Sequence, residues 1–115
     1  MDVRLQLERV SKELNLANEP QDWGIVNADP ARVKFFIDYL NEPNRHSEEI
    51  QYQLIELIIA SYNDYLLSGS GDSTVDAAFI EFLKKYESSN VFKVQYSYWS
   101  KLNGEEFPIG EYLLN

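Results

Sequence analysis

Few residues in this chain are of the types that do chemistry. The only histidine, His46, stands in a polar segment just before a predicted helix start. It is interpreted as a loop residue, because a catalytic histidine needs a nucleophile and an orienting carboxylate close by. The segment SGSGDS, residues 68–73, lacks the lysine and the glycine spacing of a phosphate-binding loop and predicts a flexible connector. We therefore expect no enzymatic activity and no cofactor.

Sulfur chemistry is excluded as well, because the sequence has no cysteine and hence no thiolate nucleophile, thiolate metal site or disulfide. This composition fits a reducing cytoplasm. Paired carboxylates are the remaining candidates for metal binding or acid–base catalysis. Neither the spacing of an EF-hand loop nor another ligand pattern is present, so helix caps and solvated faces are the simpler interpretation. The pairs are Glu48 with Glu49, Asp72 with Asp76, and Glu105 with Glu106.

Charge is the most informative property of the sequence. Ten Lys and Arg residues stand against nineteen Asp and Glu residues, a net charge of -9. Between Asp38 and Glu81 the only cation is Arg45, so nearly the whole excess lies in the middle of the chain. Such a chain repels phosphate backbones and anionic lipids and attracts basic proteins, so no nucleic acid and no membrane is expected as a partner. The N-terminus lacks a signal-peptide core, and cytoplasmic location is expected.

One domain, residues 1–115, is expected to hold about four helices. The spacing of Val3, Leu7, Val10 and Leu14 predicts a first helix, and the following WGIV segment predicts a short strand or an extended linker. Asp29 with Pro30 predicts a helix start, and that helix should run to about Leu40. Its Phe35 falls outside the apolar stripe and is either a fringe core residue or an exposed anchor.

A central helix is predicted after Ser47, which is a cap residue followed by two glutamates. The stretch LIELIIASYNDYL, residues 54–66, is apolar around so wide an arc that this helix should lie in the middle of the domain. Its polar residues fall on the one narrow face that remains. We expect that face to reach solvent or a partner. These residues are Gln53, Glu56, Asn63 and Asp64, with Ala60 between them.

The C-terminal third predicts one further helix and a minor β element. Asp72 or Ser73 can cap a helix over residues 74–87, and alternation in residues 92–98 predicts a half-buried strand. The last residues, 102–115, have an Asn-Gly turn signal and predict an extended segment that packs back on the helices. The predicted fold class is therefore α+β, mainly α, with about four helices around a central helix.

Three segments together resemble the small cytosolic immunity proteins that accompany bacterial polymorphic toxins, including those of contact-dependent growth-inhibition systems. They are residues 22–40, residues 54–66, and residues 94–100 with the closing FPIGEYL. The resemblance implies a protein without catalysis that binds and neutralises a cognate toxin domain, often a basic nuclease. It implies no particular contact residue.

The partner-binding residues are instead predicted from charge and from the aromatic anchors that protein interfaces favour. They are Asp38, Tyr39, Glu42, Glu56, Tyr62, Asp64, Asp72 and Asp76. The alternative function is an acidic adaptor or regulatory protein, or a nucleic-acid mimic, that binds a basic host or phage protein. Gene context separates the two functions, since an immunity gene should follow a toxin reading frame. Either protein could be a monomer or a homodimer.

Overall fold

The computed structural model describes residues 3–19, 21–43, 45–69, 71–101 and 109. Over these residues the helix is the only regular secondary structure and no strand is present, so the predicted α+β class is wrong. Six α-helices and one 3₁₀ turn are present there, rather than about four helices. They are α1 (Val3–Leu14), α2 (Trp23–Val26), the 3₁₀ turn (Pro30–Arg32), α3 (Val33–Leu40), α4 (Glu48–Ser68), α5 (Ser73–Tyr86) and α6 (Asn90–Trp99).

Helix α4 is the centre of the domain, as its wide apolar arc predicts. The Ser47 hydroxyl accepts a hydrogen bond from the Ile50 N–H, and Gly69 ends the helix with a left-handed φ of 70° that suits glycine. Helices α1, α2, α3 and α6 and the 3₁₀ turn all pack against α4. Side chains are therefore buried along most of this helix, from Ile50 through Leu54 and Ile58 to Tyr65.

Helix α6 replaces the strand predicted over residues 92–98. The Ser89 hydroxyl accepts a hydrogen bond from the Phe92 N–H at 3.1 Å and caps the helix. The buried residues are Phe92, Gln95 and Trp99, at spacings of three and four, whereas Val94 is exposed. Strand propensity is largely a packing preference. Burial of the residues at spacings of three and four therefore favoured a helix over the strand that the alternating aromatic residues predicted.

Helix α2 replaces the strand or linker predicted for WGIV. Trp23 is fully buried, and its indole N–H donates to the Ser11 hydroxyl of α1 at 2.9 Å. The Asn27 side chain accepts from the Ala17 N–H and donates to the Ala17 and Trp23 carbonyl oxygens, at 2.9 to 3.0 Å. These bonds satisfy the backbone groups of a short helix and fix it against α1.

The other predicted helices are confirmed, with their caps. The Asp29 carboxylate accepts from the Ala31 N–H at 3.0 Å and starts the turn that leads into α3, which ends at Leu40 as predicted. Of the C-terminal extended segment, all but Ile109 lies outside the described residues. Ile109 is buried and donates its N–H to Asn63 Oδ1 at 3.1 Å. In the described ranges no helix is both long and apolar enough to cross a bilayer.

Candidate functional site

The polar face of α4 is covered by protein over much of its length, so the expectation that the whole face reaches solvent or a partner is wrong. Ala60 and Asn63 are buried, and Glu56 and Asp64 are partly buried. Asn63 accepts the hydrogen bond from Ile109, and Glu56 accepts one from the Gly24 N–H of α2. Glu56 therefore lies within the packing between helices, and Asp64 is partly buried.

Glu56 connects α4 to both α2 and α6. A side chain at Gly24 would place its Cβ 2.9 Å from Glu56 Cγ and Oε1, so the α2 backbone lies directly on this carboxylate. From α6, the buried Gln95 amide lies close enough to Glu56 to lower its pKa, although Gln95 Nε2 has no partner in hydrogen-bonding geometry. Gln95 Oε1 accepts from Trp99 Nε1 at 3.0 Å. Three helices thus meet at one carboxyl group.

Burial raises the pKa of Glu56 above its ordinary value. The Gly24 and Gln95 groups oppose this effect, and the negative charge of Asp22 adds to it. A raised pKa in the folded state means that protonation favours folding. The contribution of Glu56 to the free energy of unfolding is fully present below the pKa of the unfolded state, near 4.5. It is lost as the pH rises through the pKa of the folded state.

We therefore expect Glu56→Gln to flatten part of the pH dependence of stability. The glutamine oxygen can still accept from Gly24, but the side chain no longer ionises. The wild-type free energy of unfolding, measured by urea denaturation from pH 4 to 8, should fall relative to the variant as the pH rises. Asp64, whose pKa burial also raises, provides the comparison through Asp64→Asn. A constant difference between wild type and Glu56→Gln across this range would contradict the burial of this carboxyl group.

Tyr62 is buried and is therefore not an exposed anchor. Its hydroxyl donates to Asp76 Oδ1 at 2.8 Å, and its ring stacks on Phe79 with 3.8 Å between centroids. The Tyr65 hydroxyl accepts from the Asp72 N–H and donates to the Asp72 carbonyl oxygen at 3.1 Å. Asp72 and Asp76 thus join the start of α5 to the end of α4.

Asp72 has a second structural role, as the N-cap of α5. Its carboxylate accepts from the Thr74 N–H at 2.9 Å and from the Thr74 hydroxyl at 2.6 Å. These two bonds, the hydroxyl first, hold the pKa of Asp72 below its usual value. The charge of Asp72 stays exposed, but its oxygens already serve the helix.

Tyr62→Phe is expected to lower the free energy of unfolding by about 1.5–3 kcal/mol, the range for a hydrogen bond to a charged group. The ring and its stacking on Phe79 remain in this variant. A double-mutant cycle with Asp76→Ala, which removes the acceptor oxygens, isolates the pair when each variant is followed by thermal and urea unfolding. Additive losses in the two single variants would show that the hydroxyl and the carboxylate do not interact.

Tyr39 is likewise buried rather than exposed. Its hydroxyl donates to Glu13 at 3.4 Å, and its ring lies 4.9 Å from the His46 ring. His46 Nε2 donates to the Tyr39 carbonyl oxygen at 2.9 Å, which holds the loop between α3 and α4 on this residue. Arg45 pairs with both Glu42 and Glu13. The predicted acid Glu42 is exposed, but it shares its charge with that cation.

Helices α3 and α5 lie side by side and point in the same direction. Lys34 Nζ near the start of α3 donates to the Thr74 hydroxyl near the start of α5, at 3.1 Å. Near the two ends, Lys85 Nζ and the Tyr86 hydroxyl donate to Asn41 Oδ1 at 3.1 and 2.8 Å. These contacts at both ends show which row of side chains on each helix borders the contact between α3 and α5.

Helical periodicity places exposed acids on these two rows. Asp38 falls between Lys34 and Asn41 on α3, and Glu81 falls between Thr74 and Lys85 on α5. Within the part of the chain that the structure describes, neither carboxylate has an ion-pair partner. We call Asp38, Glu42 and Glu81 the acidic seam.

Two large apolar side chains are exposed on the same helices. Phe35 of α3 is 47% exposed, and Ile80 of α5 is 41% exposed. The Arg32 guanidinium lies 4.7 Å from the centroid of the Phe35 ring and orients it. Phe35 and Glu81 were not among the predicted partner-binding residues, although the apolar stripe of α3 and the acidic run to Glu81 pointed to them.

Other kinds of site find little support. In the described ranges no group of three or more His, Asp or Glu side chains is arranged to hold a metal ion. Of the eight predicted residues, Asp38, Glu42 and Asp72 are exposed and Asp64 is partly buried. The other four make structural contacts; they are Tyr39, Glu56, Tyr62 and Asp76. Comparisons with protein-family models, curated proteins and solved structures give no match to this chain.

Proposed function

We propose that this chain is an immunity protein, without catalytic activity, that binds and neutralises a basic toxin domain through the acidic seam. The observation that carries the proposal is the pair of exposed carboxylates, Asp38 and Glu81, on adjoining rows of α3 and α5. The central acidic run has Arg45 as its only cation, and Glu42 and Glu13 already occupy it. Of the seam residues, Glu42 is thus paired with Arg45, whereas the carboxylates of Asp38 and Glu81 are available to cations of a partner.

Electrostatics support this choice of partner. A net charge of -9 steers a basic protein toward this chain over distances of about a Debye length, roughly 8 Å at physiological salt. A toxin that acts on a polyanion has a cationic substrate site, which exposed carboxylates can occupy in place of that substrate. Phe35, one turn from Asp38 on α3, supplies exposed apolar surface near the charges, and such surface lengthens the lifetime of a complex once it is desolvated.

The resemblance of the sequence pattern to immunity proteins supports a toxin domain as the partner. In this proposal the protein acts in the cytoplasm, where the delivered toxin domain would reach its target. Asp72 and Asp76 contribute to the overall negative field, while their main contacts are within α4 and α5. Tyr39 and Tyr62 contribute through the fold alone.

Growth rescue tests this function. The C-terminal domain encoded immediately upstream of this gene is expressed in sensitive cells with and without the protein. We expect the domain to arrest growth alone and co-expression to restore it. A domain that is harmless, or one that kills regardless of the protein, would argue against an immunity function.

A further inference from the structure

Helix α6 presents a shallow basic groove to the surface. It is lined by Lys93, Val94, Ser97, Tyr98 and Lys101, which recur at helical spacing on one face. Val94 is 56% exposed and Tyr98 is 52% exposed. Two lysines around exposed apolar groups are unusual in a chain with a net charge of -9. The groove therefore fits a partner that offers carboxylates and apolar side chains together.

A second shallow groove has the opposite charge. It lies where α1 and α4 begin and is lined by Val3, Glu48, Glu49, Tyr52 and Gln53. The Ser47 hydroxyl donates to Gln6 Oε1 at 2.6 Å and holds the two helix starts together. Among the described residues, the carboxylates of Glu48 and Glu49 have no ion-pair partner within 4 Å.

The two grooves are neighbours on the surface. Helix α6 packs directly on α4. Along this contact Gln95 lies beside Glu56, and the pKa of Tyr52 is raised by burial first, then by Glu56, and then by Tyr98, which lies close to it. The later residue of α6, Tyr98, is paired with the earlier residue of α4, Tyr52, so the two helices run antiparallel. The end of α6 therefore lies beside the start of α4. Tyr52 belongs to the acidic groove and Tyr98 to the basic groove, so these two tyrosines mark the boundary between them.

We propose that a second copy of this chain occupies these grooves, in a two-fold symmetric dimer centred on Tyr52 and Tyr98. A two-fold axis at the boundary places the basic groove of each copy on the acidic groove of the other, because such an interface repeats every contact twice. Lys93 and Lys101 then meet Glu48 and Glu49 of the other copy, and the apolar groove residues are covered. The paired charges offset the repulsion between two acidic molecules.

This dimer is independent of the proposed function, because its grooves share no residue with the acidic seam. Its test needs only the purified chain, so failure of the dimer leaves the growth-rescue result untouched. A failed rescue likewise says nothing about self-association.

Sedimentation equilibrium over a range of protein and salt concentrations tests the dimer. We expect the wild type to reach twice the monomer mass and no more, with dissociation favoured by salt. Lys93→Glu with Lys101→Glu should raise the dissociation constant by about tenfold or more, since like charges then face each other twice. The control is Lys12→Glu with Lys84→Glu, which changes the net charge equally but lies outside both grooves. It should dimerise much more tightly than the groove variant.

A charge exchange identifies the pairing directly. Glu48→Lys with Glu49→Lys should also raise the dissociation constant when studied alone, and a mixture of the two groove variants should form a heterodimer more tightly than either variant pairs with itself. Val94→Asp changes the basic groove and leaves the start of α4 unchanged, so it tests the interface without altering that helix end. Circular dichroism confirms the fold of each protein. The proposal would be overturned by a monomeric wild type, by assembly into species larger than a dimer, or by an unchanged dissociation constant in the groove variants.

Discussion

Replacing Trp23 with alanine is expected to lower the free energy of unfolding by about 3–5 kcal/mol, the range for deleting a buried aromatic side chain. Trp23 is fully buried in the core, and α2, which carries it, packs on α4. Its removal leaves a cavity and also unpairs the Ser11 hydroxyl as an acceptor, although that hydroxyl still donates to the Leu7 carbonyl oxygen. A large effect is expected because this short helix has little stability apart from its packing.

Urea denaturation at neutral pH measures this loss, and Ile25→Ala is the matched control. Ile25 lies in the same helix but is 40% exposed, so its truncation should cost much less. Ser11→Ala should give an intermediate loss, because it leaves the indole N–H without its partner. Equal losses at Trp23 and Ile25 would contradict the burial of α2 against the rest of the domain.

Gly24→Ala is the second substitution with a large expected effect. The new Cβ would lie 2.7 Å from the Leu57 backbone nitrogen and 2.9 Å from Glu56 Oε1, closer than real Cβ atoms approach their neighbours. Overpacking of this kind costs about 1–3 kcal/mol, and displacing α2 would also weaken the hydrogen bond from Gly24 to Glu56. We expect a clear fall in the urea midpoint, together with a weaker pH dependence from Glu56.

Gly69→Ala separates crowding from backbone strain. Gly69 has nothing within 4 Å of its Cβ position, but its φ of +70° disfavours alanine by about 1–2 kcal/mol. That variant should lose stability without any change in the titration of Glu56. Combining Gly24→Ala with Glu56→Ala should cost less than the sum of the two, because the side-chain part of the clash is removed. Full additivity would show that α2 does not rest on Glu56.

Helices with strong capping signals could be predicted from the sequence, because these signals act between residues close in the chain. Ser47, Asp29 and Asp72 all cap as expected, and the long apolar arc of α4 correctly predicted its central position. Helix α6 could not be predicted in this way. Its residues alternate like a strand, and only burial of Gln95 and Trp99 against the rest of the domain selects the helical pattern.

The candidate site was harder to predict, because net charge does not tell which acids have partners in the fold. Glu56 and Asp64 share a narrow polar face, yet the residues that cover that face come from distant parts of the chain. Asp38 and Glu81 are 43 positions apart and become neighbours only because α3 and α5 align. The sequence likewise could not show whether Tyr62 is buried or is an exposed anchor. Its position on the helix is the same in both cases, and only the packing of other helices decides between them.

The association rate with the domain encoded upstream, measured by stopped flow at several salt concentrations, tests the central claim most directly. Asp38→Lys with Glu81→Lys should slow association by about tenfold at low salt, and the difference should shrink as salt screens the charges. The matched control is Glu8→Lys with Glu19→Lys, which alters the net charge equally at α1 and beyond it, away from the seam. The account predicts a clearly smaller effect for that control. Equal slowing by both pairs, or an unchanged rate in the seam variant, would contradict recognition through Asp38 and Glu81.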